Sequence, residues 1–92
     1  MKDLIKIELK ELKELDLYNN NISDIKVLDK VKFEKLEKLY LSYNKITDIN
    51  ILENVSFKEL KELHLRGNNK IDKKSNESLL LKLKSKIKEL NL

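Results

Sequence analysis

The sequence predicts an α/β solenoid, with parallel strands stacked on one face and short helical or 3₁₀ segments on the other. Three observations carry this expectation. The chain lies on itself when it is shifted so that Leu12 falls on Leu36 and Leu36 on Leu60. Each unit holds two leucines one residue apart with an asparagine three residues later, as in Leu39, Leu41 and Asn44. Beyond the asparagine the apolar spacing changes to three, as in Ile25, Leu28 and Val31. Spacing of two places side chains on one face of a strand, and spacing of three suits a helical or 3₁₀ stripe. One such unit cannot bury its apolar face alone, so units stack.

The elements follow in order. Met1, Leu4 and Ile7 align with Ile25, Leu28 and Val31, so the chain starts partway through a unit. The reading is one repeat domain over 1–92. It has a partial leading repeat at 1–8, repeats at 9–32, 33–56 and 57–83, and a partial repeat at 84–92. Such a chain is a piece of a longer array or a minimal array with unusual ends. Leu12, Leu15 and Leu17 recur as Leu36, Leu39, Leu41 and as Leu60, Leu63, Leu65. Leu9 aligns with Phe33 and Phe57, and Val31 with Val55. Asn20, Asn44 and Asn68 stand where the strand must turn, and a stacked amide column can satisfy the bend's backbone groups. Ser23, Thr47, Asp24 and Asp48 are candidate caps for the convex segments.

The third unit departs from the pattern. Asn69, Lys70 and Ile71 indicate a one-residue slip, and Lys73 replaces an aligned isoleucine. The next strand opening, Ile87, comes later than the step from Leu36 to Leu60 would place it. "SNESLLLKLKSKIKEL" reads as a longer helix capped by Ser75, with Leu79, Leu80 and Leu83 inward, and "IKELNL" as a last strand.

On these residues the chain resembles the leucine-rich repeat family over essentially its whole length. The "NxIxDIxxL" portion is most similar to internalin-type and phosphatase-regulator-type repeats. The resemblance implies a solenoid with parallel strands on the concave face and short helices on the convex face. It also implies protein binding on the concave face.

Composition excludes several classes. Charged residues are 39% and hydrophobic residues 40% of the chain. No apolar run approaches the ~18 residues of a membrane helix, and regularly placed Leu and Ile argue against disorder. Cysteine is absent, so there is no disulfide or thiolate zinc site. "MKDLIKIELK" carries no secretory pattern, and the expected location is cytoplasmic. The net charge is +4, nearly all the cations are lysines, and Arg66 and Gly67 are the sole arginine and glycine.

Outward positions of the strands form columns. One is Asp16, Tyr40, His64 and Asn91; the next is Tyr18, Ser42 and Arg66, with Tyr43 near the turn. Tyrosine and arginine are frequent interface anchors. Asp16, Tyr18, Tyr40, Ser42, Tyr43, His64 and Arg66 are therefore the candidate partner-binding residues. The alternative is that they are merely solvated or packed against their neighbours. Two further columns alternate in sign: Lys13, Glu37, Lys61 and Glu14, Lys38, Glu62. They read as lateral pairs that fix strand register. His64 is the only histidine and stands in no catalytic or metal-ligand spacing, so it reads as a surface residue. The recurring Asp24, Asp48 and Asp72 read as caps rather than a cation ladder.

No nucleophile–base pair, phosphate loop or metal spacing is present. The expectation is a non-catalytic protein-interaction module with no cofactor, no membrane insertion and an unspecified protein partner. A structural spacer without a ligand is the first alternative. The second is an acidic partner held by Lys70, Lys73, Lys74, Lys82, Lys84, Lys86 and Lys88. Lysines interleaved with glutamate, without aromatic platforms, argue against nucleic acid.

Overall fold

The computed structural model describes residues 11–29, 33–54 and 58–92. The leading partial repeat falls outside them, as do the aligned positions Leu9, Val31, Val55 and Phe57. Among the described residues, four three-residue strands form one parallel sheet in sequence order: β1 (Glu14–Asp16), β2 (Lys38–Tyr40), β3 (Glu62–His64) and β4 (Glu89–Asn91). Leu15, Leu39, Leu63 and Leu90 lie in register across it, as do Asp16, Tyr40, His64 and Asn91. The longer step from β3 to β4 therefore preserves the register of the two steps before it. The longer helix takes up the difference.

The convex segments are a 3₁₀ turn at Lys26–Asp29, a single helical turn α1 (Ile51–Asn54) and the longer α2 (Glu77–Lys86). Aspartates start each return segment. Asp24 Oδ1 accepts from the Lys26 amide, and Asp48 Oδ1 from that of Asn50. Asp72 Oδ1 accepts from the Lys74 and Ser75 amides. The expected cap Ser75 is a correction. The helix starts one residue later, and the cap position is Asn76, whose side chain makes no capping bond. Ser75 Oγ instead donates to the Asp72 carbonyl, and the Ser75 amide donates to Asp72 Oδ1, so Ser75 belongs to the Asp72 turn.

Leucines and isoleucines of the strands, turns and return segments make one core together with Phe33. Leu36, Leu39, Leu41, Ile46, Ile49 and Leu63 are fully buried, and Leu79, Leu80, Leu83 and Ile87 close it from the α2 side. Leu15 and Leu17 are half-buried and pack against this core. They belong to the outermost strand of the described sheet. Leu39 and Leu41 have neighbours on both sides.

The asparagine column turns the chain. Asn44 Oδ1 accepts from the amides of Asn20 and Ile22 in the preceding unit. Its Nδ2 donates to the carbonyls of Leu17, Leu41 and Ser42. Asn68 repeats the scheme, accepting from the Ile46 amide and donating to the carbonyls of Leu41 and Leu65. The slip in the third unit has a purpose here. The Ile71 amide donates to the backbone carbonyl of Asn68, so this turn closes on itself without a further asparagine.

Candidate protein-interaction face

Residues two apart on a strand share a face. The outward face is therefore a grid with one more row than the two candidate columns suggested. Glu14, Lys38, Glu62 and Glu89 form the first row. Asp16, Tyr40, His64 and Asn91 form the second, and Tyr18, Ser42 and Arg66 continue the period as a third.

The first row is electrostatically knitted. Lys38 Nζ lies 3.7 Å from Glu14 and 3.4 Å from Glu62. Glu62, then Tyr40 and Glu14, hold the Lys38 ammonium above its ordinary pKa. Below this row, Lys61 reaches Glu37 at 3.6 Å. These contacts agree with the lateral pairs read from the sequence. The alternation fails at β4, where Glu89 stands opposite Glu62.

In the second row the His64 ring stacks on Tyr40, with centroids 4.8 Å apart and planes 20° from parallel. His64 Nε2 is 3.3 Å from Glu62 Oε1. The hydrogen bond from His64 is the main reason the Glu62 carboxyl sits below its ordinary value, with Lys38 adding to it. His64 is half-buried by these neighbours, where the sequence suggested an isolated surface histidine. One ring nitrogen of His64 and the carboxylates of Glu62 and Glu89 bring three potential ligand atoms within 4.8 Å of one another. Sequence reasoning missed this cluster because Glu89 lies a whole repeat beyond Glu62 and His64 along the chain. The β4 alignment that placed Asn91 beside His64 also places Glu89 beside Glu62, so the signal was present. Asp16 is tied locally, its Oδ1 accepting from the Tyr18 amide.

The third row holds a further correction. Ser42 is buried, at 6% exposure, so its side chain is not a free contact. It is the small residue between Tyr18 and Arg66, and its carbonyl accepts from the Asn19 amide. The accessible side chains beside it are Tyr18 and Tyr43, both exposed, whose rings meet edge to face at 5.3 Å. Arg66 is also exposed.

Tyr43 stands in an unusual place. Asn19, Tyr43 and Gly67 hold the same position in successive repeats, and all three have positive φ, at 55°, 57° and 84°. The turn demands this left-handed conformation. Asparagine and glycine accept it readily, and tyrosine does not. The Tyr43 ring then lies over Gly67, where an added Cβ would meet the ring at 2.5 Å.

The candidate sites outside this face are placed as follows. Asp24 and Asp48 line an open groove on the return segments with Ser23 and Thr47. Their carboxylates are engaged by the backbone, as the capping reading expected. Of the tail lysines, Lys82 pairs with Glu53 at 2.8 Å, and Lys70, Lys73, Lys74, Lys84, Lys86 and Lys88 are exposed. Among the described residues no helix is long and apolar enough to cross a membrane.

No curated protein and no solved structure matches the chain. The family description Leucine Rich repeats (2 copies) matches residues 34–79, and Leucine Rich Repeat matches 11–29. Those spans cover the strand–asparagine–return segments described above, and the chain belongs to the leucine-rich repeat family.

Proposed function

We propose that this chain is a non-catalytic interaction module that meets a protein partner through the strand face. Leucine-rich repeats generally mediate protein–protein interaction and are typically non-catalytic. The observation that carries the finer reading is Tyr43. A left-handed backbone costs a residue such as tyrosine ~1–2 kcal/mol. Asparagine or glycine would remove that cost, as in the neighbouring units. Strain of this kind gathers at functional positions. Here it holds an exposed ring beside Tyr18, in the row that also presents Arg66. Aromatic and arginine side chains dominate interface energetics. Four strands ~4.8 Å apart span only ~15 Å. A standard interface covers ~800 Å² per partner. This face alone therefore holds its partner weakly.

The spacer reading has one observation in its favour. Lys38 and its two glutamates satisfy one another, so much of the first row offers no free charge. Affinity capture with Tyr43→Asn and Tyr18→Ala variants separates the readings, with Lys82→Ala on the helical side as control. Loss of a partner in the tyrosine variants alone supports the strand face. Loss on neutralising Lys84, Lys86 and Lys88 moves the contact to the basic tail. Retention by all variants leaves the spacer reading ahead.

A further inference from the structure

We propose that His64, Glu62 and Glu89 form a binding site for a divalent transition-metal ion of the zinc class. Each residue offers one donor atom, an imidazole nitrogen and two carboxylate oxygens, all within 4.8 Å of one another. Zinc-class ions take such donors at ~2.0–2.2 Å, which sets tetrahedral ligand atoms about 3.3 Å apart. His64 Nε2 and Glu62 Oε1 already stand at 3.3 Å. Closing the remainder requires a shift of at most about 1.5 Å in carboxylate oxygens. Glu89 is exposed, and a change of rotamer provides that movement without displacing the strands.

A second observation concerns the row in which the carboxylates lie. Glu14, Lys38 and Glu62 alternate in sign across three strands, and Lys38 lies within ion-pair distance of both glutamates. At β4 the row places Glu89 in direct register with Glu62. Among the described residues no lysine forms an ion pair with Glu89. Like charges directly opposite on a sheet repel. A dication between the two carboxylates converts that repulsion into ligation.

The imidazole selects the class of ion. Calcium and magnesium favour oxygen-rich shells of six or more ligands, whereas imidazole suits zinc, nickel and copper. Stacking on Tyr40 fixes the plane of the His64 ring, the kind of support that orients a metal ligand. A fourth coordination position remains for water or for a donor from another molecule. The site does not depend on the interaction reading, since its ligands all come from this chain.

The test is a calorimetric titration of the 92-residue chain with Zn²⁺, with His64 followed by NMR. The chain has one histidine and no cysteine, so every imidazole signal reports on this site. The expected result is saturation at one equivalent with displacement of the His64 ring resonances, unaffected by excess Mg²⁺ or Ca²⁺. Losing an outer-shell partner typically weakens metal affinity about 10–100-fold, and losing a ligand should cost no less. Glu89→Gln and Glu62→Gln should therefore each weaken binding by at least about tenfold. Glu14→Gln, in the same row but away from the cluster, should leave it unchanged. Thermal unfolding separates ligand loss from misfolding. Metal-free Glu89→Gln should melt at or above the wild-type temperature, because a repulsion is removed, and Zn²⁺ should raise only the wild-type midpoint. Absence of saturable binding overturns the site. So does binding that both glutamine variants retain, since that is coordination by a lone surface histidine.

Discussion

Gly67 and Tyr43 show how closely neighbouring turns constrain one another. Gly67 has φ 84° and lies under the Tyr43 ring. Gly67→Ala should destabilise by ~1–2 kcal/mol from the backbone alone, with a further loss from displacing the ring. Denaturant midpoints in wild-type and Tyr43→Ala backgrounds separate the two terms. Equal costs in both backgrounds would remove the ring contact from the account. Asn44→Ala should cost ~1–3 kcal/mol, because it leaves the Ile22 amide and several carbonyls without their partner. Asn20→Ala should cost less, since the Asn20 side chain is exposed and bonds only the Leu17 and Tyr18 carbonyls among the described residues. The asparagine roles were legible because an amide at a fixed distance from a strand has few other uses. The burial of Ser42 was not, because alternation says which face a side chain takes and nothing about the bulk of its lateral neighbours. The His64 cluster was hidden for a related reason. A search for spacing along the chain does not see ligands that meet across strands.

The strands are only three residues long, so their stability comes from the leucines beneath them. Leu41→Ala should cost ~2–5 kcal/mol, since Leu41 is fully buried in the middle of the core. Leu15→Ala should cost clearly less on the outermost described strand, and equal losses would place the core elsewhere. Strand positions were readable from period two alone. The α2 boundary was not, because Ser75 is drawn into the Asp72 turn, its amide donating to Asp72 Oδ1 and its hydroxyl to the Asp72 carbonyl. Between α2 and α1, the hydrogen bond from Lys82 holds the Glu53 carboxyl below its ordinary value. A depressed folded-state pKa contributes stability above the unfolded value, about 4.3, and loses it as pH falls through the folded value. The gap in urea midpoint between wild type and Lys82→Ala should therefore close as the pH falls below about 4. A gap that persists at about pH 2 would show that Lys82 acts by packing instead.

At the scale of the whole molecule, the fold class and register follow from the repeat itself, and the longer step to β4 was absorbed without loss of register. The asparagine bonds between units, however, have a direction. Asn44 completes the turn before it, and Asn68 completes the turn before that of its own unit. The bonds to the earlier unit span 22 to 27 residues, and none among the described residues runs the other way. Asn68→Ala should accelerate hydrogen exchange at the Ile46 amide while leaving that of Leu65, bonded to Asn91, protected. Exchange rising equally at both amides would mean the units open together. Synthesis proceeds from the same end that waits for its partner. A nascent chain thus leaves the ribosome with each bend lacking an acceptor until the next asparagine emerges, so folding trails translation by about one repeat. The third turn does not wait in this way, because the Ile71 amide donates to the carbonyl of Asn68 within the same unit.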